Sequence, residues 1–167
     1  MAHVVRFIKH YLNWDKSSVE ESWLTNGEIP ADPLAGLITR DNSFSVYFID
    51  DQDSALSRCI AAFAANRDNI QEIHYLIFDE THINDSGFKC DFLLGELPDP
   101  EVNNLHKNLS EISSQKLVQF ATAIFSDCHP GSCDRLKVKD LIMSSLKNGW
   151  IDKGRLNRGM KRSLNLS

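Results

Sequence analysis

The sequence predicts an α+β protein with a mixed β-sheet of four to five strands, and three observations lead to this fold class. A strand–helix–strand pattern runs from Phe44 to Glu80, alternating apolar residues indicate another strand after it, and two apolar helical stripes follow. We expect the helices to pack on one face of the sheet. The chain has 167 residues, enough to bury a core without disulfides or metal ions.

The central strand–helix–strand unit is the clearest part of the pattern. Phe44–Ile49 is aromatic and β-branched, which is typical of a mostly buried strand. The next segment repeats apolar residues at the spacing of one helical face: Leu56, Cys59, Ile60 and Phe63. The apolar run Ile70–Phe78 predicts the second strand. The connection is long enough for a crossover between parallel strands, but antiparallel strands fit the sequence equally well.

The segments beside this unit are less regular. Residues 3–12 fit both a helical stripe and a strand, and their β-branched content favours a strand that joins the sheet. The stretch from Leu34 into the Phe44 strand predicts a β-hairpin. Alternation within residues 88–97 predicts a strand antiparallel to Ile70–Phe78. Residues 128–134, CHPGSCD, predict a loop.

Two helices and a basic tail complete the chain. Apolar stripes predict helices over residues 111–125 and 136–146, the second ended by Asn148 and Gly149. We therefore assign residues 1–149 to a single α+β domain and residues 150–167 to a basic C-terminal tail. The tail carries the cations that we expect to contact a protein partner: Arg155, Arg158, Lys161 and Arg162.

The composition restricts the cellular compartment and the kinds of partner that we expect. The chain has 18 Lys and Arg against 23 Asp and Glu, a net charge of -5. Nucleic-acid binders usually present a basic face, so we expect nucleic acid at most at the basic tail. We see no membrane-length apolar run and no secretory leader, so we expect a cytoplasmic protein that does not bind membranes. Four cysteines in that setting indicate reduced thiols.

Acidic residues follow both central strands. Asp50, Asp51 and Asp53 come after the first strand, and Asp79 and Glu80 end the second. If those strands are parallel, their acids meet at one edge of the sheet, where open α/β sheets place their sites. Carboxylate oxygens suit Mg²⁺, which can then hold a phosphate. The pattern indicates a Mg²⁺ site, although the same acids also fit a helix cap and a solvated loop; its ligands would be Asp50, Asp51, Asp79 and Glu80.

A second candidate metal site lies in the CHPGSC segment. Two thiolates and an imidazole, from Cys128, His129 and Cys133, are suitable Zn²⁺ ligands, and one more residue would complete a tetrahedron. The candidates for that fourth ligand are His82, Cys90 and His106. The spacing lacks the paired C-x₂-C pattern of structural zinc sites, and an ordinary turn explains these residues as well. Apart from Mg²⁺ or Zn²⁺, we expect no cofactor.

No complete catalytic pattern accompanies these candidates. The sequence contains neither glycine-rich phosphate motif and no G-x-S-x-G nucleophile elbow. A thiol beside His129 is not by itself a nucleophile–base pair, because sequence adjacency does not set geometry. We therefore expect a non-catalytic protein-binding module, an accessory or regulatory subunit of a larger assembly that is also able to form homo-oligomers. The alternative is a Mg²⁺-dependent phosphoester or nucleotide hydrolase that uses the acidic edge.

Overall fold

The computed structural model describes residues 2–37, 40–50 and 52–166. Within those residues one β-sheet has six strands: β1 His3–Ile8, β2 Phe44–Ile49, β3 Ile73–Asp79, β4 Lys89–Phe92, β5 His106–Ser110 and β6 His129–Cys133. Their order is β4-β5-β2-β1-β3-β6, and every neighbouring pair is antiparallel. The α+β class is confirmed. The sheet is antiparallel rather than mixed, and it has six strands rather than four to five.

Helices connect most of these strands. The described residues contain eight α-helices: α1 Glu21–Thr25, α2 Ala31–Gly36, α3 Gln52–Ala65, α4 Thr81–Asp85, α5 Pro100–Asn104, α6 Ser114–Phe125, α7 Arg135–Lys147 and α8 Arg158–Ser163. Three short 3-10 helices add to them: Tyr11–Trp14, Lys16–Ser18 and Lys153–Arg155. The helices predicted over residues 111–125 and 136–146 are confirmed as α6 and α7.

The position of β1 decides how the two central strands are related. Residues 3–8 form a strand that joins the sheet, as predicted, and it lies between β2 and β3. His3 is opposite Ile49 on one side and Asp79 on the other. Because both neighbours are antiparallel to β1, β2 and β3 run in the same direction without bonding to each other. The helix α3 is therefore the connection of a split strand–helix–strand unit.

Helices cover both faces of the sheet, not one as predicted. Along β1, Val5 and Phe7 belong to a core shared with α3, α7 and α8, whereas Val4 and Ile8 belong to a core shared with α2, α4 and α6. The central strands are apolar on both sides, as strands buried between two layers must be. The near-continuous apolar runs of β2 and β3 have this origin.

Two predicted pairings are wrong. The segment before β2 is the helix α2 rather than a strand of a hairpin; Pro33 stands in its first turn, where its missing N–H costs nothing. The strand β4 pairs with β5 rather than β3. The helix α4 lies between β3 and β4 in the chain and contacts α6, so the two strands are not joined by a tight turn.

The CHPGSC segment forms an edge strand rather than the predicted loop. β6 pairs with β3 from Ile73 opposite Cys133 to Ile77 opposite His129. Pro130 has no N–H to donate, and edge strands tolerate this loss. Gly131 is required by its neighbour, because a Cβ there would lie 2.6 Å from the ring of Tyr75.

The last residues pack back onto the domain. After α7 the chain turns at Gly149, whose φ is +72°. The following segment contributes buried apolar residues to the core beside α3 and α7: Ile151, Leu156, Met160 and Leu164. Asn157 caps α8 by accepting from the Met160 N–H at 2.7 Å, and its side-chain amide donates to the Arg67 carbonyl at 2.8 Å. Residues 150–166 are thus ordered against the chain's own core.

Candidate functional site

The acidic residues after β2 and β3 lie at the same end of the sheet. Asp50 is exposed, and Asp79 and Glu80 are partly exposed; Asp51 and the side chain of Asp53 lie outside the described residues. The strand β1 separates the two groups by two strand spacings, roughly 10 Å. Within the described ranges, no three His, Cys, Asp or Glu side chains are grouped closely enough to hold a metal ion.

The carboxylate of Asp79 is engaged locally. The Thr81 N–H donates to its Oδ1 at 2.8 Å. This bond is the main reason that the pKa of Asp79 is lowered, and His3 and His82 lower it further. This bond closes the turn between β3 and α4, so one oxygen of Asp79 is already engaged where the residue lies at the sheet end.

A histidine–carboxylate pair stands beside this end. His82 Nε2 on α4 lies 2.8 Å from Asp127 Oδ2, just after α6. His82 also lines a cavity of about 310 Å³ between α4 and α6. The imidazole links the two elements, and the sequence offered no signal for it, because the partners are 45 residues apart.

The structure does not bring the predicted zinc ligands together. Cys128 and Cys133 are both buried, but they belong to the cores on opposite faces of the sheet, and His129 is exposed. Burial raises the pKa of the Cys128 thiol to about 11, the opposite of what a metal-ligating or nucleophilic thiolate requires. Two of the proposed fourth ligands, Cys90 on β4 and His106 on β5, lie toward the far edge of the sheet.

The cations of the basic segment lie on the outer side of the docked C-terminal residues. Arg158 and Arg162 are exposed and Lys161 is partly exposed. Arg155 is exposed and donates to the Glu96 carbonyl at 3.3 Å. The apolar side of α8 is in the core, so these charges form a surface on the domain.

Three consecutive apolar side chains are exposed at the β4 edge. Phe92, Leu93 and Leu94 are consecutive, with 60%, 54% and 62% of their surface exposed. The neighbouring Cys90 is also exposed. We call Cys90, Phe92, Leu93 and Leu94 the β4 surface. An edge strand offers outward N–H and C=O groups to which another chain can add a strand.

Two hydrogen bonds hold the segment beyond the end of β4 to the protein. His106 Nδ1 lies 2.6 Å from the Leu93 carbonyl oxygen, which can only accept, so Nδ1 carries the proton. The Gly95 N–H donates to the Asn103 carbonyl at 3.3 Å. These bonds hold the inner side of the segment to the protein and leave its apolar side chains in solvent.

The opposite edge of the sheet, the strand β6, is less accessible to another chain than β4 is. β6 carries Pro130, which removes one ladder donor, and the 3-10 helix Tyr11–Trp14 contacts this strand. Proline and a covering element are two ways in which edge strands avoid pairing with other chains. The two edges therefore differ, and β4 is the one that is open.

Sequence reasoning did not single out the β4 surface. The alternation from Phe88 to Leu94 predicted a half-buried strand, and that interpretation assigned the apolar side chains to a core. The available signal was the run Phe92–Leu94, because three consecutive apolar residues do not fit a strand with one polar face.

Comparison of the chain with protein-family models, with curated proteins and with solved structures found no match. Among the described residues, no helix is both long enough and apolar enough to cross a membrane.

Proposed function

We propose that the protein is a non-catalytic, cytoplasmic protein-binding module, an accessory or regulatory subunit that binds its partner through the β4 surface. The observation that carries this proposal is the exposed run Phe92–Leu94 at the end of an open edge strand. Isolated exposed apolar residues are ordinary, but adjacent ones at a sheet edge are typical of an interaction site.

The binding mode follows from the edge. An extended segment of the partner adds a strand to β4, so that main-chain hydrogen bonds hold it and the apolar side chains select it. Full burial of a Phe or Leu side chain contributes about 1.5–3 kcal/mol. Phe92 and Leu94 together are thus able to offset much of the cost of ordering the partner.

The test compares charged variants of two exposed apolar residues. Phe92→Glu places a carboxylate in the β4 surface, whereas Leu136→Glu places one on α7, where Leu136 is 78% exposed. Each protein is purified from its own host without chelator and weighed by native mass spectrometry. We expect a mass above that of the bare chain, lost in Phe92→Glu and retained in Leu136→Glu. A partner that survives Phe92→Glu would refute the β4 surface.

A second candidate is the Mg²⁺-dependent phosphoester or nucleotide hydrolase. The observation that favours it is the shared direction of β2 and β3, which puts Asp50 and Asp79 at one end of the sheet. It has less support, because Asp79 already accepts from Thr81 and β1 lies between the two acids.

Thermal melting with and without Mg²⁺ tests this candidate. If the two carboxylates share a cation, Mg²⁺ raises the Tm of the unmodified chain, and the double variant Asp50→Asn plus Asp79→Asn removes that increase. Asp140→Asn, an exposed acid on α7, is the matched control and should keep it. Equal melting of all three proteins with and without Mg²⁺ would count against the hydrolase.

A further inference from the structure

The charges of β4 are arranged symmetrically about one residue. Lys89 and Asp91 flank Cys90 and, as alternate residues, point to the same face of the sheet. Their side chains form an ion pair at 2.9 Å within the strand. Cys90 and Phe92 point to the other face. When two copies of such a segment lie antiparallel about the central residue, each charge faces the opposite charge of the other copy. The segment is therefore complementary to itself.

We propose that the occupant of the β4 surface is a second copy of this chain, whose β4 pairs antiparallel with the first about a two-fold axis through Cys90. The inference rests on the proposed function and names its partner. In this register Lys89 lies opposite the partner's Asp91, and Asp91 lies opposite the partner's Lys89. Cys90 meets the partner's Cys90, and Phe92 lies opposite the partner's Phe88.

The other registers are poorer. Residues opposite each other in an antiparallel pair point to the same face, so the two-fold axis of a continuous sheet passes through a residue. An axis through Asp91 sets two carboxylates opposite each other, and an axis through Lys89 sets two ammonium groups opposite each other, both destabilising. An axis through Phe92 leaves both charges without an oppositely charged neighbour across the strands.

Charge and apolar burial have separate roles in this interface. Cross-strand ion pairs in solvent contribute little to the free energy of association. Their role in this interface is to favour one register over the others, since like charges opposite each other are destabilising. The driving force comes from Phe92, which is 60% exposed in the single chain and becomes covered by the partner's strand beside Cys90. Phe88, at 9% exposed, already packs in its own core and adds little apolar surface to the interface. The two six-stranded sheets then form one continuous sheet.

The assembly stops at two copies. An isologous interface uses the same surface on both chains, so pairing through β4 consumes the open edge of each. The edges that remain are the two β6 strands, each with Pro130. Proline at an exposed edge opposes further strand addition, and the same pairing cannot propagate into a filament.

Oxidative cross-linking tests the register directly. Among the four cysteines Cys90 is exposed, and Cys59, Cys128 and Cys133 are buried. Opposite residues of an antiparallel pair have Cα atoms about 4.5–5.5 Å apart, inside the range of about 4.4–6.8 Å for a disulfide. We expect diamide, which takes up the two thiol hydrogens, to convert the native chain to a covalent dimer. Cys90→Ser should abolish the cross-link, and the reduced native chain should sediment as a dimer.

Charge reversal tests the pairing without cysteine chemistry. Lys89→Asp places two carboxylates opposite each other at both ends of the pair, and Asp91→Lys does the same with ammonium groups. Each single variant should raise the dimer Kd by about tenfold. The double variant Lys89→Asp plus Asp91→Lys restores opposite charges across the strands and should recover most of the affinity. Lys89 is exposed and Asp91 is partly exposed, so neither substitution enters the core. Far-UV circular dichroism checks that each variant folds.

Each outcome has one meaning. A chain that sediments as a monomer throughout, while a different polypeptide is lost with Phe92→Glu, overturns the second-copy inference and leaves the proposed function standing. A chain with neither a second copy nor another polypeptide overturns both. A dimer that fails to cross-link through Cys90, but does so between Cys90 and an introduced Leu94→Cys, overturns the axis through Cys90.

Discussion

At the scale of single residues, Asp99 joins the helices α3 and α5. Its side chain is fully buried and accepts from the Glu101 N–H at 2.9 Å, which caps α5. It pairs with Arg58 of α3 through Nε at 2.5 Å and Nη2 at 3.0 Å. The hydrogen bond to Asp99 is the main reason that the pKa of Arg58 is raised. The guanidinium also lies 4.8 Å from the ring centroid of Trp150.

Removal of the Asp99 carboxylate should therefore be costly. Asp99→Ala leaves the mostly buried Arg58 without its buried partner and α5 without its cap, so we expect a loss of about 3 kcal/mol in the free energy of unfolding. Glu101→Ala removes the outer partner of Arg58, a carboxylate that is 73% exposed, and should cost less than about 1 kcal/mol. Urea denaturation measures both, and equal losses would show that burial of the pair is unimportant.

The sequence indicates the helix cap at Asp99 but not the ion pair with Arg58. Asp99 followed by Pro100 is a recognisable helix start, since proline suits the first helical position. Arg58, however, is 41 residues away, and nothing local marks it as the partner. The β4 surface is a similar case. The sequence shows its apolar residues, but it does not show that they are exposed to solvent.

At the scale of elements, the docking of α8 makes the clearest prediction. Met160 is fully buried in the core beside α3 and α7. Met160→Ala should lower the free energy of unfolding by about 2–5 kcal/mol, because it leaves a cavity. Leu136→Ala on α7, at a side chain 78% exposed, should change it by less than about 0.5 kcal/mol. If the two variants were equally stable in urea, α8 would not be packed on the domain in solution.

The three long helices and four of the six strands were predictable from the sequence. Period-two and helical apolar patterns identified β1, β2, β3, β4, α3, α6 and α7. The structure differs at α2 and β6, which were predicted as a strand and a loop, and β5, α4 and α5 were not predicted as elements at all. Pro130 and Gly131 are typical of a loop, and they are tolerated in β6 because an edge strand needs fewer donors and the ring of Tyr75 occupies the space of a side chain.

At the scale of the whole molecule, buried neutral acids govern stability at alkaline pH. Burial raises the pKa of Cys59 and of Tyr47 to about 12. In the unfolded chain a cysteine titrates near 8.5, so above that pH the unfolded state loses its proton while the folded state keeps it. Stability is thus fully present below the unfolded pKa and falls as pH rises toward the folded pKa.

The expected slope is measurable. Each such group lowers the free energy of unfolding by about 1.4 kcal/mol per pH unit between its unfolded and folded pKa values. Cys59→Ala should therefore lose less stability than the unmodified chain between pH 8.5 and 10.5, whatever its stability at neutral pH. Cys90→Ala, at an exposed thiol, should change the slope less. Urea midpoints under reducing conditions at the two pH values decide the matter, and identical slopes for all three proteins would contradict the burial of a neutral Cys59.

The sequence by itself determined the α+β class, four of the six strands, the three long helices and the residues available for a site, because these follow from short-range periodicity and capping. Only the tertiary structure decided that β1 lies between β2 and β3, that helices cover both faces, and that β4 and β6 are the edges. Strand order depends on contacts between residues distant in the chain. The same alternation of apolar residues occurs in a strand covered by its neighbours and in an edge strand that is open to another chain, so the sequence does not distinguish them. The position of Phe92 at an uncovered edge, and not its residue type, makes it a candidate for binding.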